Sequence, residues 1–141
     1  MIVVAVLVVG ALLIQVLPVA QRTNPPVTLT VNWDSPDTEA LARAACFDCH
    51  SNETVWPWYG YIAPVSWVLI NHVEEGRYRL NFSTGQGEAD LHDLIDQVEE
   101  GSMPPGYYKL MHPAANLSDA QRQQLIAGFR ATFPNGFGEG G

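Results

Sequence analysis

Basic residues are scarce in this 141-residue chain. Lysine and arginine together number 7, whereas aspartate and glutamate number 15, which gives a formal net charge of −8. Because phosphate binding needs clustered lysine and arginine, we expect no nucleic-acid partner. An acidic protein of this kind is steered toward basic docking patches, and such an encounter weakens with salt.

Cysteine is scarcer still, since the chain has only two. They stand in the pentapeptide Cys46-Phe47-Asp48-Cys49-His50. A structural zinc site needs four ligands, and a thioredoxin-like dithiol needs a βαβ setting that the sequence lacks. The pattern C-x-x-C-H is the attachment signature of c-type haem. It predicts one covalent haem c, with Cys46 and Cys49 as the attachment points and His50 as the proximal ligand of iron.

Charge is missing from the N-terminal stretch, where Ile2 to Val19 has one polar side chain, Gln15. As a helix these residues would measure about 27 Å, close to a hydrocarbon core of about 30 Å. The sequence thus predicts an uncleaved transmembrane anchor over residues 1–20, with residues 2–19 in contact with lipid. A cleaved signal peptide is the alternative, but Pro18 disfavours it. Since c-type haem is attached outside the bacterial cytoplasmic membrane, we expect a single-pass protein with its haem domain on the periplasmic side.

Strict alternation of polar and apolar residues is also absent, which favours an all-α fold over a sheet. The sequence predicts a juxtamembrane linker over residues 21–34, a cytochrome c-like haem domain over 35–134 and a glycine-rich tail over 135–141. Four helices are expected in the domain. They run from Pro36 toward Cys46 behind an N-cap at Ser35, from about Pro64 to Gly76, from about Glu88 to Glu100, and from Ser118 to just before Pro134.

The sixth ligand of the iron has several candidates. Met103 lies in Gly101-Ser102-Met103-Pro104-Pro105, where the prolines restrict the backbone around a thioether. His72 is the main alternative, although a histidine on an apolar helix is more often part of a core. Met111 and His112 are weaker candidates. Ligation by histidine and methionine saturates the iron and suits electron transfer, whereas an open position suits gas binding or peroxide chemistry.

Aromatic residues follow the pentapeptide closely, and a small domain has few other places to bury them. We expect Trp56, Trp58 and Tyr59 to line a haem pocket, with ordinary core packing as the alternative. Trp67, Arg77 and Asn81 are candidates for hydrogen bonds to the haem propionates. A proline carbonyl, from Pro57 or Pro64, is expected to accept the ring N–H of His50.

From Gln15 to about Phe129 the chain resembles the membrane-anchored haem-binding domain proteins of the cytochrome c type. The matching pieces are Arg22–Pro26, Cys46–Glu53, Trp56–Tyr59, Ile62–Trp67, His72–Val73, Glu75–Arg77, Leu80–Ser83, Met103–Pro104 and His112–Pro113. The resemblance implies one covalent haem held by Cys46, Cys49 and His50, and it places Met103 at the family's Met-Pro position. Gly60 departs from the serine expected there.

We therefore expect a membrane-tethered monohaem c-type cytochrome that transfers single electrons as a subunit of a larger membrane redox complex. Its partners would be redox proteins of that complex. The alternative is a haem-based sensor or accessory subunit whose iron binds a small ligand. Enzymatic activity is not expected, since no His-Arg pair suits a peroxidase.

Overall fold

The fold is known from a computed structural model that describes residues 1–17 and 21–137. Within these ranges the chain forms seven α-helices and no strand. The helices are α1 (Ile2–Leu13), α2 (Pro36–Ala45), α3 (Phe47–His50), α4 (Val65–Arg79), α5 (Leu91–Glu99), α6 (Gly106–Met111) and α7 (Asp119–Thr132). Short 3-10 turns occur at Ile14–Val16, Trp58–Tyr61 and Pro113–Ala115. The all-α prediction is confirmed.

The predicted transmembrane anchor is wrong. Helix α1 has 12 residues, which makes it about 18 Å long against a hydrocarbon core of about 30 Å. Just beyond its end, the side-chain amide of Gln15 is held by Ala63. Its NH2 group donates to the carbonyl oxygen of Ala63, and its oxygen accepts from the Ala63 amide. No helix within residues 1–17 and 21–137 is long and apolar enough to cross a membrane. The predicted single-pass localisation is overturned with the span, and positions 18–20 of the predicted anchor lie outside the described residues.

Helix ends follow local chemistry closely. Ser35 accepts from the amide of Thr38 to cap α2, and Ser118 forms a capping box with Gln121 at the start of α7. Asp90 caps α5, so that helix begins three residues beyond the predicted start at Glu88. Helix α4 does not end at Gly76 as predicted but continues to Arg79.

The core lies between α2, α5 and α7 and includes aromatic rings from the connecting loops. Phe47 stacks on Phe82 with ring centroids 5.3 Å apart, and Trp33 lies 5.6 Å from Phe82. Helix α5 contributes its periodic apolar face, and α7 contributes Phe129. Because Phe47 lies between the two cysteines, this core fixes one side of the pentapeptide. The predicted linker, domain and tail boundaries stay a prediction, and residues 138–141 of the tail lie outside the described ranges.

Candidate functional site

A cavity of about 580 Å³ opens beside the pentapeptide. Cavities of about 300–1,000 Å³ are typical of small-molecule and cofactor sites. Its walls come from four parts of the chain. These are Cys46, Cys49 and His50 around α3; His72, Glu75, Gly76, Arg79 and Leu80 along and after α4; Asp93, Leu94, Gln97 and Val98 on α5; and Met103, Pro104, Pro105, Tyr107 and Tyr108 beyond it.

Both cysteines are free thiols on the cavity wall. One helical turn holds them together, because the amides of Cys49 and His50 both donate to the carbonyl oxygen of Cys46, at 3.2 and 2.9 Å. Burial raises the pKa of Cys46 to about 12, with a smaller contribution from Cys49. Burial, and then the charge of Asp48, raises the pKa of Cys49 to about 11. Two neutral thiols therefore face the cavity from the same turn.

His50 is oriented by a backbone carbonyl. Its Nδ1 lies 3.1 Å from the carbonyl oxygen of Leu80. A carbonyl only accepts hydrogen bonds, so Nδ1 carries the proton and Nε2 keeps its lone pair. Burial lowers the pKa of His50 and keeps the ring neutral. The acceptor is Leu80, so the expectation of a carbonyl from Pro57 or Pro64 is wrong.

Helix α4 passes very close to the pentapeptide at Gly76. A Cβ at this position would lie 2.5 Å from the carbonyl oxygen of Cys49. The absence of a side chain therefore lets α4 pack directly on α3, and it brings His72 and Arg79 to the cavity wall.

Another part of the wall comes from a segment that we call the Met103 segment, residues 102–114, of which Met103, Pro104, Pro105, Tyr107 and Tyr108 line the cavity. It follows α5 after Gly101, whose φ of +74° favours glycine. The amide of Met103 donates to the carbonyl oxygen of Gln97 at 3.0 Å. Of the four candidate sixth ligands, Met103 and His72 line the cavity, whereas Met111 and His112 do not.

A family model described as a haem-binding domain matches residues 9–131. The chain belongs to the haem-binding domain family. Comparisons with curated proteins and with solved structures gave no match. Membership makes this a haem protein, and it fits a haem protein without enzymatic turnover.

The residues around the cavity fit the family's cofactor. Haem offers a flat apolar macrocycle, an iron that takes nitrogen and sulfur ligands, and two carboxylates. The cavity supplies the apolar side chains of Leu94 and Val98, the free Nε2 lone pair of His50 and the thioether of Met103. Arg79 is a cation on the same wall that suits a carboxylate, and in this structure it pairs with Glu88 at 3.4 Å.

The aromatic residues named from the sequence lie elsewhere. Trp56 donates from its indole to the side-chain oxygen of Asn24, and Trp58 is 72% exposed and packs edge-on against Tyr59. Trp67 is half-buried on α4. None of the four lines this cavity. Their contact with haem stays a prediction.

Arg77 and Asn81 are engaged in holding the backbone together. The Arg77 guanidinium donates to the carbonyl oxygens of Ser51 and Thr23, at 2.7 and 2.8 Å. The Asn81 amide donates to the side-chain oxygen of Asn52 at 2.9 Å. Neither residue lines this cavity, and their predicted bonds to the propionates stay a prediction.

Two tyrosines on the cavity wall were missed by sequence reasoning. Tyr107 shares a hydrogen bond with Nδ1 of His72 at 2.9 Å, and Tyr108 donates to a carboxylate oxygen of Asp48 at 2.8 Å. Burial, and then the bond to Asp48, raises the pKa of Tyr108 well above its ordinary value, so the phenol remains a donor. Asp48 and Tyr108 are 60 positions apart, and no local pattern links them.

Proposed function

We propose that this protein is a monohaem c-type cytochrome that transfers single electrons. In this proposal Cys46 and Cys49 carry the haem, His50 is its proximal ligand and Met103 is its distal ligand. The observation that carries it is that Cys46, Cys49, His50 and Met103 all line one cavity. Haem bound there supplies an iron that alternates between the ferric and ferrous states.

The residues of the cavity wall have different roles in this proposal. Cys46 and Cys49 fix the cofactor's edge to α3, and the Leu80 carbonyl holds the His50 ring so that Nε2 is the free nitrogen. Leu94 and Val98 exclude water from the cavity wall. Both proposed ligands are neutral, and histidine–methionine ligation raises the reduction potential.

Charge at the cavity mouth supports a basic redox partner. Glu75, Glu88 and Asp93 are exposed residues of the cavity wall, against one cation there, Arg79, within the described residues. An acidic rim attracts a positively charged docking surface and repels an acidic one.

The second candidate function is a haem sensor or accessory subunit. The observation that favours it is the exposure of the Met103 segment, in which Met103 itself is 40% exposed. If this segment moves away, the sixth position opens to a small ligand such as carbon monoxide.

One set of spectra tests the proposal. Haem is expected to stay on the denatured wild-type chain and to be lost from the Cys46→Ser/Cys49→Ser variant. The ferric wild-type protein is expected to show the weak red absorption band of methionine-ligated haem. That band should vanish in Met103→Ala and persist in Met111→Ala, a matched control in the same segment that does not line the cavity.

Other results would contradict it. Haem that is extracted from the denatured wild-type chain would refute the covalent attachment. A red band that survives Met103→Ala would refute the distal ligand. Rapid carbon monoxide binding by the unmodified ferrous protein would favour the sensor function instead.

A further inference from the structure

The Met103 segment has few attachments to the rest of the protein. None of its residues, 102–114, is buried, whereas Ala115 immediately after it is 0% exposed. At its start, the amide of Met103 and the hydroxyl of Ser102 bond Gln97. Its other backbone hydrogen bonds within the described residues span four positions or fewer, as from Lys109 to Pro105 or from His112 to Tyr108. A segment with so little buried surface has low local stability unless side chains hold it.

Two tyrosine hydroxyls join the middle of the segment to the cavity walls. The Tyr107 hydroxyl bonds the imidazole of His72 at an exposed position. The Tyr108 hydroxyl donates to Asp48 at a half-buried position, and Asp48 stands between Cys46 and Cys49. The second bond therefore connects the segment of the proposed distal ligand to the turn of the proposed attachment site.

We propose that Tyr108 is a positioning residue that holds the Met103 segment closed over the cavity through its bond to Asp48. This inference rests on the proposed function, because the position of the Met103 segment affects the iron only where Met103 is the distal ligand. Its role is to keep the thioether beside the cavity and small ligands away from it.

Several contacts favour Tyr108 over Tyr107. Its acceptor is a carboxylate, and a hydrogen bond to a charged group is about twice as strong as a neutral one. The carboxylate is itself fixed, because its other oxygen accepts from the amide of Val55 at 2.9 Å. The ring of His112 stacks on Tyr108 at 4.0 Å, and its Nδ1 donates to the Tyr108 carbonyl oxygen, which immobilises the phenol.

The test compares Tyr108→Phe with Tyr78→Phe in the haem-loaded protein. Tyr78 is a matched control, because its exposed hydroxyl donates to the carboxylate of Glu88 on a different part of the chain. In Tyr108→Phe we expect hydrogen exchange at the amides of Met103 and residues 108–112 to accelerate by roughly ten- to hundredfold. Carbon monoxide association with the ferrous protein should accelerate similarly, and the red band should weaken. Tyr78→Phe should match the wild type in hydrogen exchange, in carbon monoxide association and in the strength of the red band.

A double-mutant cycle with Asp48→Ala, which removes the acceptor altogether, separates the bond from a general loss of packing. If the bond carries the effect, Tyr108→Phe adds little to Asp48→Ala. An equal effect of Tyr108→Phe in both backgrounds would overturn the proposal, as would unchanged exchange in Tyr108→Phe. A wild-type protein without the red band would refute the distal ligand of the proposed function, while the exchange rates would still decide whether Tyr108 holds the segment.

Discussion

At the scale of single residues, Gly76 and Leu80 decide how the pentapeptide is held. The carbonyl oxygen of Leu80 fixes the tautomer of His50, and this contact requires α4 to lie directly against α3. Gly76 permits that approach, since a Cβ would come within 2.5 Å of the Cys49 carbonyl oxygen and 3.1 Å of the Cys49 Cβ. Contacts this short force the backbone to move.

Gly76→Ala should therefore destabilise the protein by about 1–3 kcal/mol and lower the yield of chain that carries haem. Urea unfolding and haem staining of the denatured protein measure the two effects. Gly10→Ala is the control, because a Cβ there would meet nothing within 4 Å. Equal stability and haem yield in the two variants would show that the close approach of α4 to α3 at Gly76 affects neither folding nor haem attachment.

At the scale of elements, Arg77 ties two other parts of the chain to α4. One guanidinium bonds the carbonyl oxygens of Ser51 and Thr23, and it also donates to the side chains of Asn24 and Thr54. The segment before α2 and the turn after α3 are thus fixed to the same helix. A planar fork with several donors suits these acceptors, whereas lysine offers a single point of charge.

Arg77→Lys should cost about 1–3 kcal/mol, because buried acceptors lose their donors. The free energy of unfolding in urea measures this loss. Arg130→Lys makes the same exchange at an exposed position of α7 and should stay within about 0.5 kcal/mol of the wild type. If Arg77→Lys is as stable as Arg130→Lys, the fork of hydrogen bonds does not hold these segments.

At the scale of the whole molecule, net charge governs how fast the protein associates with charged partners. The net charge of −8 and the acidic residues at the cavity mouth give the proposed redox centre a negative surface. Attraction between unlike charges raises association rates, and salt screens it over about 10 Å at 0.1 M ionic strength.

Electron transfer from the ferrous protein should accordingly be faster to a cationic oxidant than to an anionic one. Tris(phenanthroline)cobalt(III) and ferricyanide form a suitable pair for stopped-flow measurement. The rate with the cation should fall by about tenfold as salt rises, and the rate with ferricyanide should increase. Identical salt dependence for both oxidants would show that the negative surface does not face the site of electron transfer.

The sequence predicted the parts of the site that are contiguous in the chain. Cys46, Cys49 and His50 lie within one short helical segment, and Met103, which lines the cavity, was singled out from its local proline-rich loop. Contacts between distant residues had no such pattern. The bonds from His50 to Leu80 and from Tyr108 to Asp48 join positions 30 and 60 residues apart, and only packing brings them together.

The anchor prediction failed for a related reason. Hydropathy over residues 2–19 describes composition, but the length of a helix depends on where its backbone bonds end. Here α1 stops at Leu13, and Gln15 pairs with Ala63, 48 residues away.

The amino-acid sequence by itself determined the all-α class, the caps of α2 and α7 and the grouping of Cys46, Cys49 and His50 in one turn, because each depends on periodicity or spacing within a few residues. Tertiary structure alone decided which candidates share the cavity, which nitrogen of His50 is free and how Tyr108 reaches Asp48. These depend on the approach of α4 to α3 and on the path of the Met103 segment along the cavity wall, which are properties of packing.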